Sequence, residues 1–593
     1  MPTLRRLILA LALTACSSPD RTFSRDGGGG GGGAMDASGD GSAERCEPGR
    51  IYCEGVSASY RCTSDGIITA RTLCSGAEGT CAPGLGCRAC MPDTSRCDPA
   101  MPNRTQRCRA DGSGWDDGPE CTGSGAYCAA GVCLDRCSAA TAGRSYLGCD
   151  YWPVTLPNSG LDPNFYFAVV LSNPQEYEVT AQVTGGALPE ARTVVLAPNA
   201  IEVVRLPWVV PLTQLNPNCP RLGDRCLAND PARSALQRGG AYHVHADGPI
   251  AAYQFNPLTF QENTRFFSYS NDASLLLPQG VLTQRYTVIT WPNFEGRDFV
   301  FGGFVSIAAT TGESTTVTVR ATGRVRAGAG VPAMARGETR SFTLTEGDVL
   351  QLVGEGSGDL TGTTIEATNP VAVFVGHDCT NVPFDRVACD HLEEQLLPNE
   401  TWGSDYLVSH LRDRGTQQPT TVRILSRVDD NAITFDPPVF RDSTLQAGGI
   451  IEFQTNQHFR VTGGGPFVVA QFMQGQGPSI PGQTGAGDPA MVLEVPVQQF
   501  RTRYDFYVPS TYPRNFINIV VPTGSTAYLD EQPVRGSMEV IGAFTVYTLP
   551  IEAGAHRMRS DGTNGFGIKV YGIASYTSYT YPGGLDLQLL TPG

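Results

Sequence analysis

From about residue 145 onward, the chain consists of short runs of alternating apolar and polar positions. Residues 166–171, 315–319 and 516–521 are examples, rich in the β-branched and aromatic side chains that favour strands. Gly, Pro, Asn and Asp separate the runs, and no long stretch shows helical periodicity. The pattern therefore predicts an all-β fold.

The strands recur in a longer pattern with a spacing of roughly one hundred residues. A Leu-Pro or Val-Pro pair precedes a tyrosine by the same interval three times, at Pro278 and Tyr286, Pro398 and Tyr406, and Pro496 and Tyr504. Tyr146 is expected to open an earlier copy. Each copy closes on an apolar strand, at 249–255, 370–375, 466–472 and 567–573. We predict four tandem β-sandwich-like modules, 138–262, 263–385, 386–482 and 483–593. A four-bladed propeller is the alternative, although blades are usually about half this length.

Cysteines dominate the region before these modules. Two groups of six, from Cys46 to Cys87 and from Cys90 to Cys133, fall in residues 46–89 and 90–137 with nearly the same spacings, which indicates an internal repeat of about 44 residues. Each copy is too small for an apolar core, so we expect three disulfides per copy, of unresolved connectivity. Zinc is the alternative for Cys87 and Cys90, but no second CxxC completes such a site. The later cysteines form three local pairs, Cys137 with Cys149, Cys219 with Cys226, and Cys379 with Cys389.

The N-terminus has the features of an export signal. Arg5 and Arg6 precede an apolar run at 7–13, which is too short to span a bilayer. The sequence 13–16, Leu-Thr-Ala-Cys, resembles a bacterial lipobox, which implies cleavage after residue 15 and acylation of Cys16. Residues 16–45 are glycine-rich and predict a flexible tether. We therefore expect a chain lipid-anchored at the bacterial outer membrane or cell surface.

Composition narrows the range of partners. The formal net charge is −15 and only 17% of residues are charged. Nucleic-acid binding requires clustered positive charge, so we expect no nucleic-acid partner. Of the 19 cysteines, assigning Cys16 to the lipid leaves an even number, as an exported disulfide framework requires.

One region carries a recognisable signature. Residues 369–379 (NPVAVFVGHDC) lead into 389–398 (CDHLEEQLLP), followed by 401–403 (TWG) and 406–408 (YLV). This run resembles the N-terminal domain of the IgGFc-binding protein family, and the resemblance extends more loosely over about 271–581. It implies an extracellular, non-catalytic binding domain, without implying that the immunoglobulin ligand of the animal members applies here. The signature residues that carry chemistry are His377, Asp378, Asp390, His391, Glu394, Gln395 and Trp402.

The signature contains side chains that could play either a chemical or a structural role. His377, Asp378, Asp390 and His391 flank the proposed Cys379–Cys389 bridge and include metal-ligand residue types. We expect them to hydrogen-bond a pinned loop and to hold no metal or cofactor. His243 and His245 share a strand face, but no third ligand lies near them in the sequence. HExxH, GxSxG and P-loop motifs are absent from the sequence, so we expect no enzymatic activity.

Three functions follow in order of preference. The first is a lipid-anchored surface binding or adhesion protein that recognises a protein or glycan. The second is a structural envelope or matrix component without a specific soluble ligand. The third is a hydrolase whose active site is assembled from scattered residues.

Overall fold

The computed structural model describes residues 46–54, 58–67, 72–101, 103–122, 126–161, 164–213, 232–262, 266–268, 270–295, 300–386, 388–412, 418–475 and 487–591. It is almost entirely β-structure, which confirms the predicted fold class. The chain folds as two compact units, residues 1–138 and 139–593. The predicted signal peptide, Cys16, the tether, and Cys219 with Cys226 lie outside the described residues.

Helices are few and short in the described ranges. The α-helices are Arg136–Gly143 and Val210–Thr213, and the 3-10 helices are Gly76–Glu78, Gln279–Val281, Asn399–Thr401 and Val497–Gln499. None of these helices is long and apolar enough to cross a membrane.

The first unit is built from short strands cross-linked by disulfides. Its strands are Ile51–Glu54, Ala58–Arg61, Thr72–Leu73, Thr80–Ala82, Gly86–Arg88, Ser95–Cys97, Arg104–Cys108, Trp115–Glu120, Tyr127–Ala129 and Val132–Leu134. The disulfides are Cys46–Cys62, Cys53–Cys81 and Cys74–Cys87 in one repeat, and Cys90–Cys108, Cys97–Cys128 and Cys121–Cys133 in the next. Both repeats join their cysteines in the order first to third, second to fifth and fourth to sixth. The sequence repeat is thus also a repeat of connectivity.

The second unit contains antiparallel sheets arranged in four pairs within its described part. In the first pair, the long strand Tyr242–Phe255 passes through both sheets and joins them. The order is Arg192–Leu196, Val179–Gly185, Tyr242–Phe255, Phe167–Ser172 and Ile201–Leu206, with Gly148–Tyr151 and Ala273–Leu275 also pairing to the long strand.

The other three pairs each consist of two separate sheets. The second has Ala235–Gln237, Val349–Val353, Gly303–Ala309, Val371–Thr380 and Asp390–Gln395 beside Arg285–Thr287, Thr364–Ala367, Thr315–Arg320 and Thr339–Leu344. The third has Ile450–Thr455, Thr420–Ser426, Phe467–Phe472 and Met491–Leu493 beside Asp405–Val408, Phe459–Gly463, Asn431–Asp436 and Ser443–Leu445. The fourth has Met538–Ile541, Phe544–Pro550, Arg514–Pro522, Gly567–Ala574 and Thr577–Pro582 beside Arg503–Val508, Gly554–Ser560, Ala527–Leu529 and Gln532–Pro533. Two short hairpins complete the strands, Gln261–Glu262 with Phe266–Phe267 and Phe294–Glu295 with Val300–Phe301.

Each closing strand is followed by a further strand that pairs with it. We call these the linking strands: Ala273–Leu275, Asp390–Gln395, Met491–Leu493 and Thr577–Pro582. The first three lie beyond the sequence-derived module limits at 262, 385 and 482, yet they bond to the sheet before the limit. The module limits stay a prediction. Backbone hydrogen bonds between a closing strand and its linking strand cross the limits at 262, 385 and 482.

The linking strands converge on one place, which we call the central junction. Asp272, just before the first linking strand, accepts the backbone N–H groups of Glu393 (3.2 Å) and Met491 (2.9 Å). Thr577 Oγ1, on the fourth, donates to Asn271 Oδ1 at 3.2 Å. All four linking strands are thus connected through the segment 271–272.

The end of the chain returns to the beginning of the second unit. The Tyr146 N–H donates to the Leu585 carbonyl at 3.1 Å, and the Leu587 N–H donates to the Arg144 carbonyl at 2.7 Å. The first and fourth pairs of sheets are therefore neighbours, and the four pairs form a closed ring.

A buried tyrosine occupies the same place in each pair of sheets. Its hydroxyl accepts the backbone N–H three residues earlier and donates to the carbonyl that begins the closing strand. The acceptor carbonyls are Ile250 for Tyr151 (2.6 Å), Val371 for Tyr286 (2.8 Å), Phe467 for Tyr406 (2.6 Å) and Phe566 for Tyr504. The N–H donors are Gly148, Thr283, Gly403 and Arg501. Burial raises the pKa of all four tyrosines, so the hydroxyls keep their protons.

In the first pair, the sequence interpretation chose the wrong tyrosine. Tyr146 was expected to open this module, but Tyr151 makes the bridge described above. The Tyr146 hydroxyl instead donates to the Asp505 carbonyl and accepts the Asp505 N–H, both at 2.9 Å. Tyr146 therefore connects the first pair of sheets to the fourth.

We expect Tyr406→Phe to lower the free energy of unfolding by about 1–3 kcal/mol. The change keeps the ring but leaves the Gly403 N–H and the Phe467 carbonyl buried without this partner. Urea denaturation measures the effect. Tyr528→Phe is the matched control, because that ring is only partly buried and lies under Arg559. Equal stability of the two variants would contradict a bridging role.

Candidate functional site

The family signature lies in the interior of the second unit. His377 and Asp378 are on Val371–Thr380, and Asp390, His391, Glu394 and Gln395 are on Asp390–Gln395. Trp402 follows the 3-10 helix Asn399–Thr401. All seven side chains are at most 3% exposed. The signature therefore offers no direct contact surface to a macromolecular partner.

Asp378 fastens parts of the first pair of sheets to the closing strand of the second. Its Oδ1 accepts the Ser159 N–H at 2.5 Å and the Ser159 hydroxyl, and its Oδ2 accepts the Ala232 N–H at 3.3 Å. Burial raises the pKa of this carboxyl, although these three hydrogen bonds oppose the shift. Asp378 is thus a structural acceptor.

Gln395 and Trp402 also bond to the backbone. Gln395 Oε1 accepts the Leu277 N–H at 2.8 Å, which joins the second linking strand to the end of the first. Trp402 Nε1 donates to the Leu397 carbonyl at 3.2 Å. Both side chains therefore hold the segments that carry the Leu-Pro repeat.

The two signature histidines are neutral. Burial lowers the pKa of His377 and of His391 to about 3, and the neighbouring His391 adds to the effect on His377. His391 Nε2 lies 3.1 Å from Asn256 Nδ2 and 3.4 Å from Glu393 Oε2, and its ring stacks on Phe304. The His391 imidazole is thus held in place by stacking on Phe304 and by polar contacts with Asn256 and Glu393.

Buried carboxyl groups surround the central junction. Burial raises the pKa of Asp272, Asp390, Glu393 and Glu394 well above the ordinary values, and the proximity of Asp272 adds to the shift of the other three. Such groups remain protonated where exposed carboxyls are charged. Across the described residues, no group of three or more His, Cys, Asp or Glu side chains is placed to hold a metal ion.

Asp272, Glu393 and Asp488 were missed by the sequence interpretation, which singled out only the signature. One signal was available: each of the first three linking strands is followed by a proline, and an aspartate precedes that proline by six or eight residues. These aspartates are Asp272 before Pro278, Asp390 before Pro398 and Asp488 before Pro496.

The most exposed part of the signature region is the loop between Cys379 and Cys389, of which residues 380–386 and 388 are described. Cys379 and Cys389 form a disulfide at its base. Within the loop, Asn381 Nδ2 donates to the Arg386 carbonyl at 2.6 Å. The Val382 carbonyl accepts the Gly475 N–H at 2.8 Å, which attaches the loop to the third pair of sheets. The loop is therefore held at its base and at its side.

An aromatic side chain stands at the tip of this loop. Phe384 is 45% exposed, and Asp385 beside it is also exposed. The Phe384 ring stacks on Phe294 at 5.8 Å and meets the edge of the buried Trp291 at 5.9 Å. We call this loop with Phe384 the bridged loop. The bridged loop exposes the apolar ring of Phe384 on a backbone that is restrained by a disulfide and by hydrogen bonds. This arrangement is suited to binding another molecule.

A second polar group lies on the surface of the first pair of sheets. Asp150 Oδ1 is 3.0 Å from His243 Nε2 and 2.7 Å from His245 Nδ1, and Trp152 stacks on His243 at 4.2 Å. Asp150 is the neighbour that sequence reasoning missed, since it reaches the pair by strand pairing with His245. The three side chains form a hydrogen-bonded cluster.

Cys137 and Cys149 are each in a disulfide.

Comparison with known proteins gives this arrangement a family. Residues 272–572, just over half of the 593-residue chain, match the family described as IgGFc binding protein. The chain belongs to this family. Over 184 residues it is 31% identical to the human (Homo sapiens) IgGFc-binding protein, and this alignment covers 31% of the chain and 3% of the human protein. The chain thus spans a small fraction of that relative's length.

The IgGFc-binding match follows the architecture of the second unit. It begins at Asp272, in front of the first linking strand, and ends inside Gly567–Ala574. The bridged loop, three of the four linking strands of the central junction and most of the last three pairs of sheets fall within it. The residues that carry the signature of the IgGFc-binding family in this chain therefore lie in the interior of its fold.

We expect Asp272→Asn to become more stable relative to wild type as the pH rises. Burial raises the pKa of Asp272, so its contribution is complete below about pH 4 and is lost as the pH rises toward the raised value. The neutral amide has no such loss. The difference in free energy of unfolding should grow by up to about 1.4 kcal/mol per pH unit between about pH 5 and pH 8.

Urea denaturation across this pH range checks the expectation. Asp385→Asn, at an exposed position, is the control for a change of net charge alone. Parallel pH profiles for Asp272→Asn and wild type would show that the carboxyl is not held in its protonated form.

We expect the double variant Cys379→Ser, Cys389→Ser to lose about 2–3 kcal/mol, because the bridge closes a short loop. Calorimetry should show a lower melting temperature, and limited proteolysis should cut within 380–388. An unchanged melting temperature with an uncut loop would show that the contacts of Asn381 and Val382 suffice.

Proposed function

We propose that the chain is a lipid-anchored surface protein that binds a protein ligand through the bridged loop. Membership of the IgGFc-binding family supports a binding function. The observation that carries the location is Phe384, an exposed aromatic ring on a loop fixed by a disulfide and by backbone bonding to Gly475.

The rigidity of the loop favours binding. A loop that is ordered before contact loses less conformational entropy on association than a flexible one. Aromatic anchors at the centre of an interface contribute much of the binding energy of protein complexes. Phe384 combines both properties, because Phe294 and Trp291 support its ring from below.

A protein ligand is preferred to a glycan. The family description and the human relative both name a protein region, the Fc of IgG. We do not transfer that ligand, since the signature shared with the family is buried in this chain. Glycan binding is therefore one outcome of the experiment below.

The anchor belongs to the same proposal. Residues 13–16 resemble a lipobox, and the glycine-rich residues 16–45 provide a spacer between a lipid on Cys16 and the folded units. We propose the bacterial cell surface as the location.

We expect Phe384→Ala to weaken ligand binding at least tenfold, which corresponds to about 1.4 kcal/mol. Ligands are first identified by applying the purified chain to arrays of surface proteins, immunoglobulin Fc and glycans, and affinities are then measured by calorimetry. Met538→Ala removes an exposed apolar side chain from the last pair of sheets and is the control.

Two results would contradict the proposal. Unchanged affinity of Phe384→Ala would show that the ligand binds elsewhere on the chain. Binding only to glycans on the arrays would show that the ligand is a glycan and not a protein.

We expect Cys16→Ala to move the protein from the detergent phase to the aqueous phase on phase separation, because it removes the residue that carries the lipid. Conversion of Ser17 to Ala is the control and should leave partitioning unchanged. Retention of Cys16→Ala in the detergent phase would mean that another segment anchors the chain.

A further inference from the structure

Lys569 is the only lysine in the chain, which otherwise uses arginine for every basic position. It lies on the closing strand Gly567–Ala574 of the fourth pair of sheets and is only 5% exposed. A buried lysine bears a large desolvation cost unless its charge is matched or removed. Its surroundings therefore decide which form it takes.

The Lys569 amine meets three oxygen atoms, all from the third pair of sheets and the segments flanking it. Nζ is 2.5 Å from Glu494 Oε1, 2.6 Å from Gln471 Oε1 and 2.9 Å from the Ser409 carbonyl. Gln471 is on the closing strand Phe467–Phe472, and Glu494 follows the linking strand Met491–Leu493. The amine is thus in direct contact with both a carboxyl group and a primary amide.

The contact takes place in largely apolar surroundings. A cavity of about 20 Å³ adjoins Lys569 and Glu494 and is lined mainly by apolar side chains, among them Val492, Leu493, Val520 and Ile568. Gln471 is completely buried and Glu494 is 6% exposed. Burial lowers the pKa of Lys569 and raises that of Glu494, although their mutual attraction opposes both shifts. Desolvation in this way favours the neutral, nucleophilic amine.

We propose that Lys569 and Gln471 react to form an isopeptide bond, with Glu494 transferring the proton. The Nζ lone pair attacks Cδ of Gln471 and a new Nζ–Cδ bond forms. Glu494 takes a proton from the attacking nitrogen and delivers it to Nε2 as the Cδ–Nε2 bond breaks. One ammonia leaves for each bond made, so the step balances without an oxidant or a further reactant.

Gln471 is the acyl partner that the contacts favour. Asn518 is the strand partner of Lys569, but its amide is engaged by Ser409 Oγ at 3.1 Å and the His410 carbonyl at 2.9 Å. Gln471 presents its carbonyl oxygen directly to Nζ, and its Nε2 donates to Thr420 Oγ1 at 3.1 Å. The bond would join the closing strands of the third and fourth pairs of sheets covalently.

The single lysine makes the test decisive. The full chain is purified, denatured in urea and digested with a protease that cleaves after lysine, and its intact mass is measured in parallel. We expect the wild type to be one ammonia lighter than the Glu494→Gln variant, after allowing for the substitution, and to resist cleavage. Glu494→Gln should have the full mass and be cut once, releasing residues 570–593.

Gln471→Met provides a second variant without an acyl group and should also be cut once. Circular dichroism of both variants before denaturation establishes that they fold. Fragment spectra of a proteolytic digest of the wild type locate the cross-link. A wild type of full mass that is cut after Lys569 would overturn the proposal and leave a buried ion pair. A cross-link to Asn518 would overturn the choice of Gln471.

Discussion

The buried tyrosine bridge is the interaction on which the second unit depends. In every pair of sheets one hydroxyl satisfies two backbone groups, an N–H where the first strand opens and a carbonyl where the closing strand begins. Most of these backbone groups belong to buried residues, and an unpaired buried backbone group costs about as much as a lost hydrogen bond. The bridge thus fixes where one sheet ends and the other starts, and a linking strand follows each closing strand along the chain.

The buried family signature lies apart from the exposed bridged loop that we propose for recognition. The side chains of Asp378, Gln395 and Trp402 form hydrogen bonds with backbone groups of neighbouring segments. The acids at the central junction keep their protons and the two imidazoles lose theirs, which removes net charge from the interior. Side chains of this kind serve packing, whereas Phe384, on which we propose that ligand binding depends, is exposed. A match to the family therefore says more about how the chain folds than about what it binds.

The sequence was sufficient for features that depend on local pattern. Alternation predicted the strands, the Cys spacing predicted a disulfide-linked repeat, and the Leu-Pro to Tyr interval located three of the four bridging tyrosines. It failed at Tyr151 because the first pair lacks the preceding Pro, so nothing local distinguishes Tyr151 from Tyr146. The meeting of Asp272 with Glu393 and Met491 was equally invisible, since it arises from strands that are far apart in sequence. Asp150 was overlooked for the same reason, because a strand register cannot be derived from one strand alone.

The closure between residues 144–146 and 585–587 changes how the second unit responds to stress. In a linear row of domains each member has at most two neighbours, and an end member can unfold without disturbing the rest. In a closed ring there is no end member, so the loss of any pair of sheets removes two interfaces and exposes the common centre. Cooperativity is therefore shared by about 450 residues, from 139 to 593, although each pair of sheets alone has the size of an ordinary domain. A force that pulls on one pair of sheets would, with this topology, be resisted by the interfaces on both of its sides.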